Sequence, residues 1–305
     1  MMRQRGFTLI EAVVVMVVTS ILAGVMVLFI RRPVQQYVES AERADMTDVA
    51  DLALRRMARE LHGALPNSVR YLSLSGGVMI EFIPTKAGGI YLDASDNAGS
   101  GHPLDFGPTA SPSTQFTVVG DLSTLPTASD YIVVYNLGPG YASADAYSNT
   151  GGSMNRAAIA PAPALPTTTE TVSWSATPAT LINLASNPFA LPVSATNQVP
   201  NASPSHRFQV VTQPVTFRCA RQTPAGPVLL TRHWNYGFNA SVTDPLGSGS
   251  SALLATNVAS CSFSYLTAAN IQHGLVGLAV TLNRATSTVN ESVTLSQQVN
   301  VENTP

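Results

Sequence analysis

The chain has 305 residues, a net charge of −2 and only 11% charged residues, under half of the usual share of about 25%. That length suits one large β-rich domain or two modest ones with an ample apolar core. No basic stripe is present, so the electrostatic footprint needed to bind phosphate backbones is missing and nucleic acid is not an expected partner.

Residues 1–6 form a short polar leader carrying Arg3 and Arg5, and a nearly unbroken apolar run over 7–30 follows. At about 1.5 Å per residue a helix of that length covers about 36 Å, more than a hydrocarbon core of about 30 Å. No Ala-x-Ala site closes the run, unlike a secretory signal peptide. The plain alternative is an uncleaved anchor with a cytoplasmic N-terminus, favoured by Arg3 and Arg5 and blurred by Arg31 and Arg32. The anomaly is Glu11, a carboxylate in an otherwise apolar helix, which costs about 2.5–3.5 kcal/mol if it reaches mid-bilayer. An interfacial position would soften that cost, but its neighbours argue for a role.

Those neighbours, Gly6-Phe7-Thr8-Leu9-Ile10-Glu11, resemble the prepilin motif of type IV pilins and type II secretion pseudopilins. The resemblance implies a specific chemistry. A membrane prepilin peptidase would cut between Gly6 and Phe7 and methylate the new amine on Phe7. Glu11 would then pair with that amine on a neighbouring subunit as subunits pass from the membrane into a filament. Such pairing is physically sound, because a matched cation removes most of the penalty of a carboxylate in apolar surroundings. Glycine at the cut leaves no side chain in the way of the protease. The implied partners are the prepilin peptidase, major and other minor pilins, the inner-membrane assembly machinery and the membrane itself, with no cofactor. The implied location is the inner membrane, crossed once with a periplasmic head, and then the filament.

Beyond the run, Arg31-Arg32-Pro33 interrupts the pattern, and proline removes a helix hydrogen bond, so a bend or local unwinding is expected there. Helical spacing resumes at Val34, Tyr37, Val38, Ala41, Ala44, Asp48, Val49, Leu52, Met57, Leu61 and Leu65. Gly63 and Pro66 supply the stop. The charges over 39–60 read as the solvated face of this helix. The predicted architecture is α+β in the manner of the type IV pilins. A helix over 7–65 is transmembrane at 7–30 and an amphipathic stalk at 34–65, and it packs on a mainly antiparallel β head over 66–305.

Within the head, strands are predicted at 69–74, 78–83, 115–119, 131–135, 208–211, 215–219, 228–234, 260–265, 275–282 and 292–301. The last two read as a hairpin joined through 283–290. Stretches 93–113, 138–166 and 178–205 are rich in Ala, Ser, Thr, Gly, Pro or Asn and read as long loops, candidates for the surface that varies between subunits. Trp234, Tyr236 and Phe238 alternate, which places three aromatics on one strand face for packing. Cys219 and Cys261 are the only cysteines. Beyond a membrane segment they suit a disulfide that ties two strand regions together. Two separate buried thiols are the alternative, and neither cysteine has a partner at metal-ligand spacing.

Catalytic patterns are not found. The histidines at 62, 102, 206, 233 and 273 are scattered. Ser248 lacks a nucleophile-elbow motif, and Gly138-Pro139-Gly140 is a turn, not a phosphate cradle, so no enzyme is predicted. Asp93, Asp96 and Asn97 could supply oxygen ligands for calcium, which some pseudopilins bind, although a solvated Asp/Asn turn is the commoner meaning. The segments 54–61, 64–70 and 291–305 are similar to the MshO family of minor pilins in mannose-sensitive haemagglutinin pilus biogenesis, and more distantly to J-type pseudopilins. That likeness, the length of the chain and Leu28 where pilins commonly carry proline imply a minor subunit that primes assembly, with the filament tip as its expected place. The competing readings are a type II secretion pseudopilin and a membrane-anchored surface binding protein.

Overall fold

The computed structural model describes residues 7–96, 99–141, 143–148, 155–164, 166–175, 178–191, 193–194, 201–266, 272–285 and 290–305. The leader, Gly6 with it, and Asn97 lie outside the described residues.

One helix, α1 (Leu9–His62), runs unbroken through Pro33, so the local unwinding expected there is absent. Proline leaves only the Phe29 carbonyl without its helical partner, and the bonds on either side hold the backbone. The helix ends where the Gly63 N–H turns back to the Glu60 carbonyl at 3.2 Å and the Ala64 N–H to the Leu61 carbonyl at 3.0 Å.

Its distal half buries Met46, Ala50, Ala53, Leu54, Met57, Ala58 and Leu61, a stripe at spacings of three and four. That stripe is out of phase with part of the predicted one. Leu52 is 68% exposed, and Val34 and Tyr37 are exposed as well. Alanines replace them on the buried face because small side chains let the helix lie close to a sheet.

Fifteen strands follow among the described residues. They are β1 (Arg70–Leu74), β2 (Gly77–Phe82), β3 (Thr85–Tyr91), β4 (Gln115–Val119), β5 (Tyr131–Val133), β6 (Arg156–Ala158), β7 (Thr167–Glu170), β8 (Ala179–Asn183), β9 (Arg207–Val211), β10 (Val215–Arg221), β11 (Val228–Trp234), β12 (Ser250–Ala255), β13 (Val258–Leu266), β14 (His273–Ala285) and β15 (Asn290–Glu302). They form sheets in the orders β1-β2-β10-β11-β12, β13-β14-β15 and β6-β5-β9-β3-β4-β8-β7. The result is the α+β arrangement expected, a long apolar helix followed by an antiparallel β head.

Two cores result. The first two sheets and α1 enclose Met57, Leu61, Phe82, Phe217, Leu230, Phe263, Leu278 and Val301. The seven-stranded sheet encloses Tyr91, Phe116, Ile132, Phe189, Phe208 and Val210. Each fully buried large side chain is worth about 1.5–3 kcal/mol relative to exposure. Leu65, Ile83, Val133, Tyr147 and Val211 join the two lobes.

Several predicted features are corrected. The stretch 138–166 contains β6 and 178–205 contains β8, while 93–113 contributes buried Leu104 and Phe106. Trp234 ends β11, after which positive φ at Asn235 (59°) and Gly237 (82°) turns the chain. Tyr236 and Phe238 therefore leave the strand instead of sharing its face. The C-terminal hairpin is present, with Ala285 opposite Asn290, and residues 286–289 lie outside the described ones.

Candidate assembly site

Phe7 and Thr8 precede the helix, and Thr8 caps it through its carbonyl, which accepts from the Glu11 N–H at 3.1 Å and the Ala12 N–H at 3.2 Å. Glu11 is the acidic residue of the first turn, where the exposed N–H groups and the helix dipole favour a negative charge. Phe7 is 75% exposed, and among the described residues no ion pair reaches Glu11. An amine freed at Phe7 would stand at the positive end of the helix, where only a carboxylate relieves it. The structure thus places Phe7 and Glu11 on one helix end, four residues apart.

The first half of the helix that carries them, up to Ile30, is apolar around its circumference apart from Glu11, Thr19 and Ser20. Val14, Met16, Ile21, Leu22, Met26 and Phe29 are all exposed, and the segment is long and apolar enough to cross a membrane. Its polar groups are satisfied from within, since the Thr19 and Ser20 hydroxyls donate to the Val15 and Met16 carbonyls at 2.7 Å.

The attachment of helix to head is made by residues that the sequence pattern did not single out. Arg43 donates to Glu291 at 2.8 Å, Arg284 to Asp45 at 3.2 Å, and Arg232 of β11 to Glu60 at 2.8 Å, while His62 Nδ1 lies 3.2 Å from the Asn300 carbonyl. Because their partners lie 172 to 248 residues away, no local signal betrays them.

Cys219 of β10 and Cys261 of β13 are joined by a disulfide. It links the five-stranded sheet to the three-stranded one, and the loop it closes spans 42 residues.

Asp96 ends a 3₁₀ turn at Ala94–Asp96, and Asp93 immediately precedes it. Asp93 accepts from the Ser95 N–H and hydroxyl at 2.8 and 2.6 Å, and Asp96 accepts from the Asp93 N–H at 2.7 Å. Burial alone would raise the Asp93 carboxyl, but the Ser95 bonds outweigh it and hold it below its ordinary value. Among the described residues no group of three His, Cys, Asp or Glu side chains is placed to hold a metal.

In the comparisons, no curated protein and no solved structure matches the chain. The family model for the prokaryotic N-terminal methylation motif matches residues 1–27. That match covers Gly6, Phe7, Glu11 and most of the apolar run, and it supports a type IV pilin-like protein whose motif implies processing by a prepilin peptidase and assembly with other pilins.

Proposed function

We propose that this chain is a minor type IV pilin of the MshO kind, cut between Gly6 and Phe7, N-methylated on Phe7 and inserted into an MSHA-type filament whose assembly it helps to prime. Glu11 neutralises the Phe7 amine of a neighbouring subunit as the apolar helix leaves the lipid. Residues 1–6 are the leader, 7–30 the span, 34–65 the stalk and 66–305 the head exposed beyond the membrane. The observation that carries the reading is the carboxylate at Glu11 in the first turn of α1, the only charged residue of a stretch, 9–30, that is otherwise apolar and exposed.

A minor role follows from the two-lobed head. Stacking so bulky a unit at every step of a fibre is difficult, because a heterologous interface repeats without closing, whereas a low-copy subunit at the tip meets that limit once. Mass spectrometry of the mature N-terminus tests the processing, with methylated Phe7 expected and a retained Met1 overturning it. Quantifying the chain in purified filaments tests the minor role, since abundance equal to the major subunit would remove it.

A further inference from the structure

The apolar stretch 9–30 of α1 is about 33 Å of helix, and an ordinary tilt of about 20° fits it to a hydrocarbon core of about 30 Å with little to spare. Arg31 is the next residue, and Arg32 follows it. Arg31 is exposed and stands where the hydrocarbon gives way to the phosphate layer. Tyr37, six residues or about 9 Å further on, is 77% exposed and belongs to the zone where aromatic rings collect at a membrane surface. Arginines on the head side of a span run against the positive-inside rule, a cost unless something at that depth holds them.

No carboxylate of this chain is at that level. Between Glu11 and Glu39 the sequence has no acidic residue, so the helix positions three and four away from Arg31 and Arg32 hold only apolar residues or glutamine. Among the described residues no ion pair involves Arg31. The first ion pair from α1 to the head, counted from the span, is Arg43 with Glu291, 12 residues or about 18 Å beyond Arg31. α1 is continuous through Pro33, so no break in the helix folds the head back toward the membrane.

A second copy supplies no anion either. Two chains that cross one bilayer side by side place Arg31 beside Arg31. Their nearest carboxylate, Glu39, is eight residues or about 12 Å further out, more than the Debye length of about 8 Å at physiological salt. The anions that do lie at this depth are lipid phosphates, whose geometry suits the planar donor fork of a guanidinium. A zwitterionic headgroup cancels its own phosphate charge, so a lipid of net negative charge is the one selected. In the reading above, the cut after Gly6 also removes Arg3 and Arg5. Arg31 and Arg32 are then the only arginines or lysines between Phe7 and Arg43.

We propose that the Arg31-Arg32 pair binds the headgroup of an anionic phospholipid in the leaflet on the head side of the span. The proposal rests on the membrane-spanning part of the reading above.

The test uses the full chain with the photocrosslinker p-benzoylphenylalanine at exposed position 34, one turn beyond Arg31 on the same face. The chain is reconstituted in vesicles of equal parts phosphatidylglycerol and phosphatidylcholine. Irradiation joins the probe to whichever lipid lies against it, and mass spectrometry of the adducts gives the local ratio of the two. Phosphatidylglycerol adducts are expected to exceed phosphatidylcholine adducts about fivefold or more, the worth of one arginine at an anionic surface. Arg31→Gln combined with Arg32→Gln should return the ratio to about one, whereas Arg31→Lys combined with Arg32→Lys should keep most of the preference, because the charge remains. An even ratio in the parent chain, a preference that the glutamine variant retains, or adducts to a second copy in place of lipid would each overturn the proposal. Alkaline extraction of the vesicles separates it from the reading beneath it. If the chain resists extraction but shows no preference, only the lipid site falls; if alkali releases the chain, the span falls first.

Discussion

The guanidinium carbon of Arg70 lies 3.4 Å from the centroid of the Tyr147 ring, and this contact crosses from one lobe of the head to the other. Arg70 belongs to β1, where it also pairs with buried Glu81 and donates to the Asn239 and Ala240 carbonyls at 3.0 and 2.8 Å. Tyr147 lies between β5 and β6 and donates its hydroxyl to the Ser68 carbonyl at 2.7 Å. Glu81 accepts in turn from the Tyr236 hydroxyl at 2.9 Å. The cluster anchors the 235–240 segment over the first core and docks the second lobe against it.

Breaking that cluster from one side leaves a buried charge without its partner. Arg70→Ala is expected to cost about 3–5 kcal/mol, because Glu81 is 1% exposed and retains only Tyr236. Adding Glu81→Gln removes the stranded charge and should recover part of the loss. Urea denaturation of the full chain in detergent reads both. If the double variant is no more stable than the single one, the stranded-charge account is wrong.

The disulfide makes a different prediction, since it acts on the unfolded chain. Closing a loop of 42 residues corresponds to about 4 kcal/mol in the chain-entropy treatment. Cys219 is fully buried and Cys261 partly so, hence replacing both by alanine preserves most of the packing while releasing the loop. The urea midpoint should fall, and added reductant should lower the midpoint of the unmodified chain but not of the variant. Identical midpoints with and without reductant would remove the bridge from the stability argument.

Met57 and Leu52 separate the observed helix face from the one suggested by spacing. Met57 is fully buried and Leu52 is 68% exposed. Met57→Ala is therefore expected to cost about 2–5 kcal/mol, and Leu52→Ala less than about 0.5 kcal/mol. A protease-protection assay of the head at increasing urea distinguishes them, and equal losses would mean that the stripe is misplaced.

That pair also shows what the amino-acid pattern could reveal. The span, Glu11 and the helix end at Gly63 were legible because apolar length, an isolated charge and a breaker are local signals. The phase of the stalk was not, since Ala50, Ala53 and Ala58 pack the sheet without standing out as hydrophobic. Strong strands such as β10 and β11 announced themselves through Val, Leu and Phe. β3, with Gly88 and Gly89, and β12, with its serines, did not, nor did the Thr- and Ala-rich β7 and β8. These become strands because a partner supplies their hydrogen bonds. Arg70 and Glu81 are 11 residues apart in sequence and face each other only through the register of β1 with β2.

His233 gives the head a pH dependence. Its ring is buried on the outer face of β11, with Nε2 3.0 Å from the Thr231 hydroxyl and no partner for Nδ1 among the described residues. Burial first and the nearby Arg218 second push it below its ordinary value of 6.5, and Asp244 opposes them. Folding therefore favours the neutral ring, so the unfolded chain binds the extra proton. The contribution is complete above pH of about 6.5 and is lost as the pH falls below it, with a slope of at most about 1.4 kcal/mol per pH unit. His233→Gln keeps a partner for Thr231 and should flatten the part of the curve just below about pH 6.5. An unchanged slope would show that other groups carry the acid sensitivity.

Glu11 supplies the sharpest separation between making the subunit and using it. In the proposed reading the cut falls between Gly6 and Phe7, away from the Glu11 side chain, so Glu11→Ala should still be processed and methylated at Phe7. What it lacks is the anion that meets a neighbour's amine in apolar surroundings. An unpaired buried charge costs about 3 kcal/mol or more, which is a loss in filament incorporation of about a hundredfold relative to the membrane pool. Glu11→Gln keeps the size and hydrogen bonding but not the charge, so it should fail nearly as badly if the pairing is electrostatic. The ratio of mature chain in sheared filaments to mature chain in membranes measures all three. Full incorporation of Glu11→Gln would mean that position 11 contributes hydrogen bonding and shape, and that the amine finds its counter-charge elsewhere.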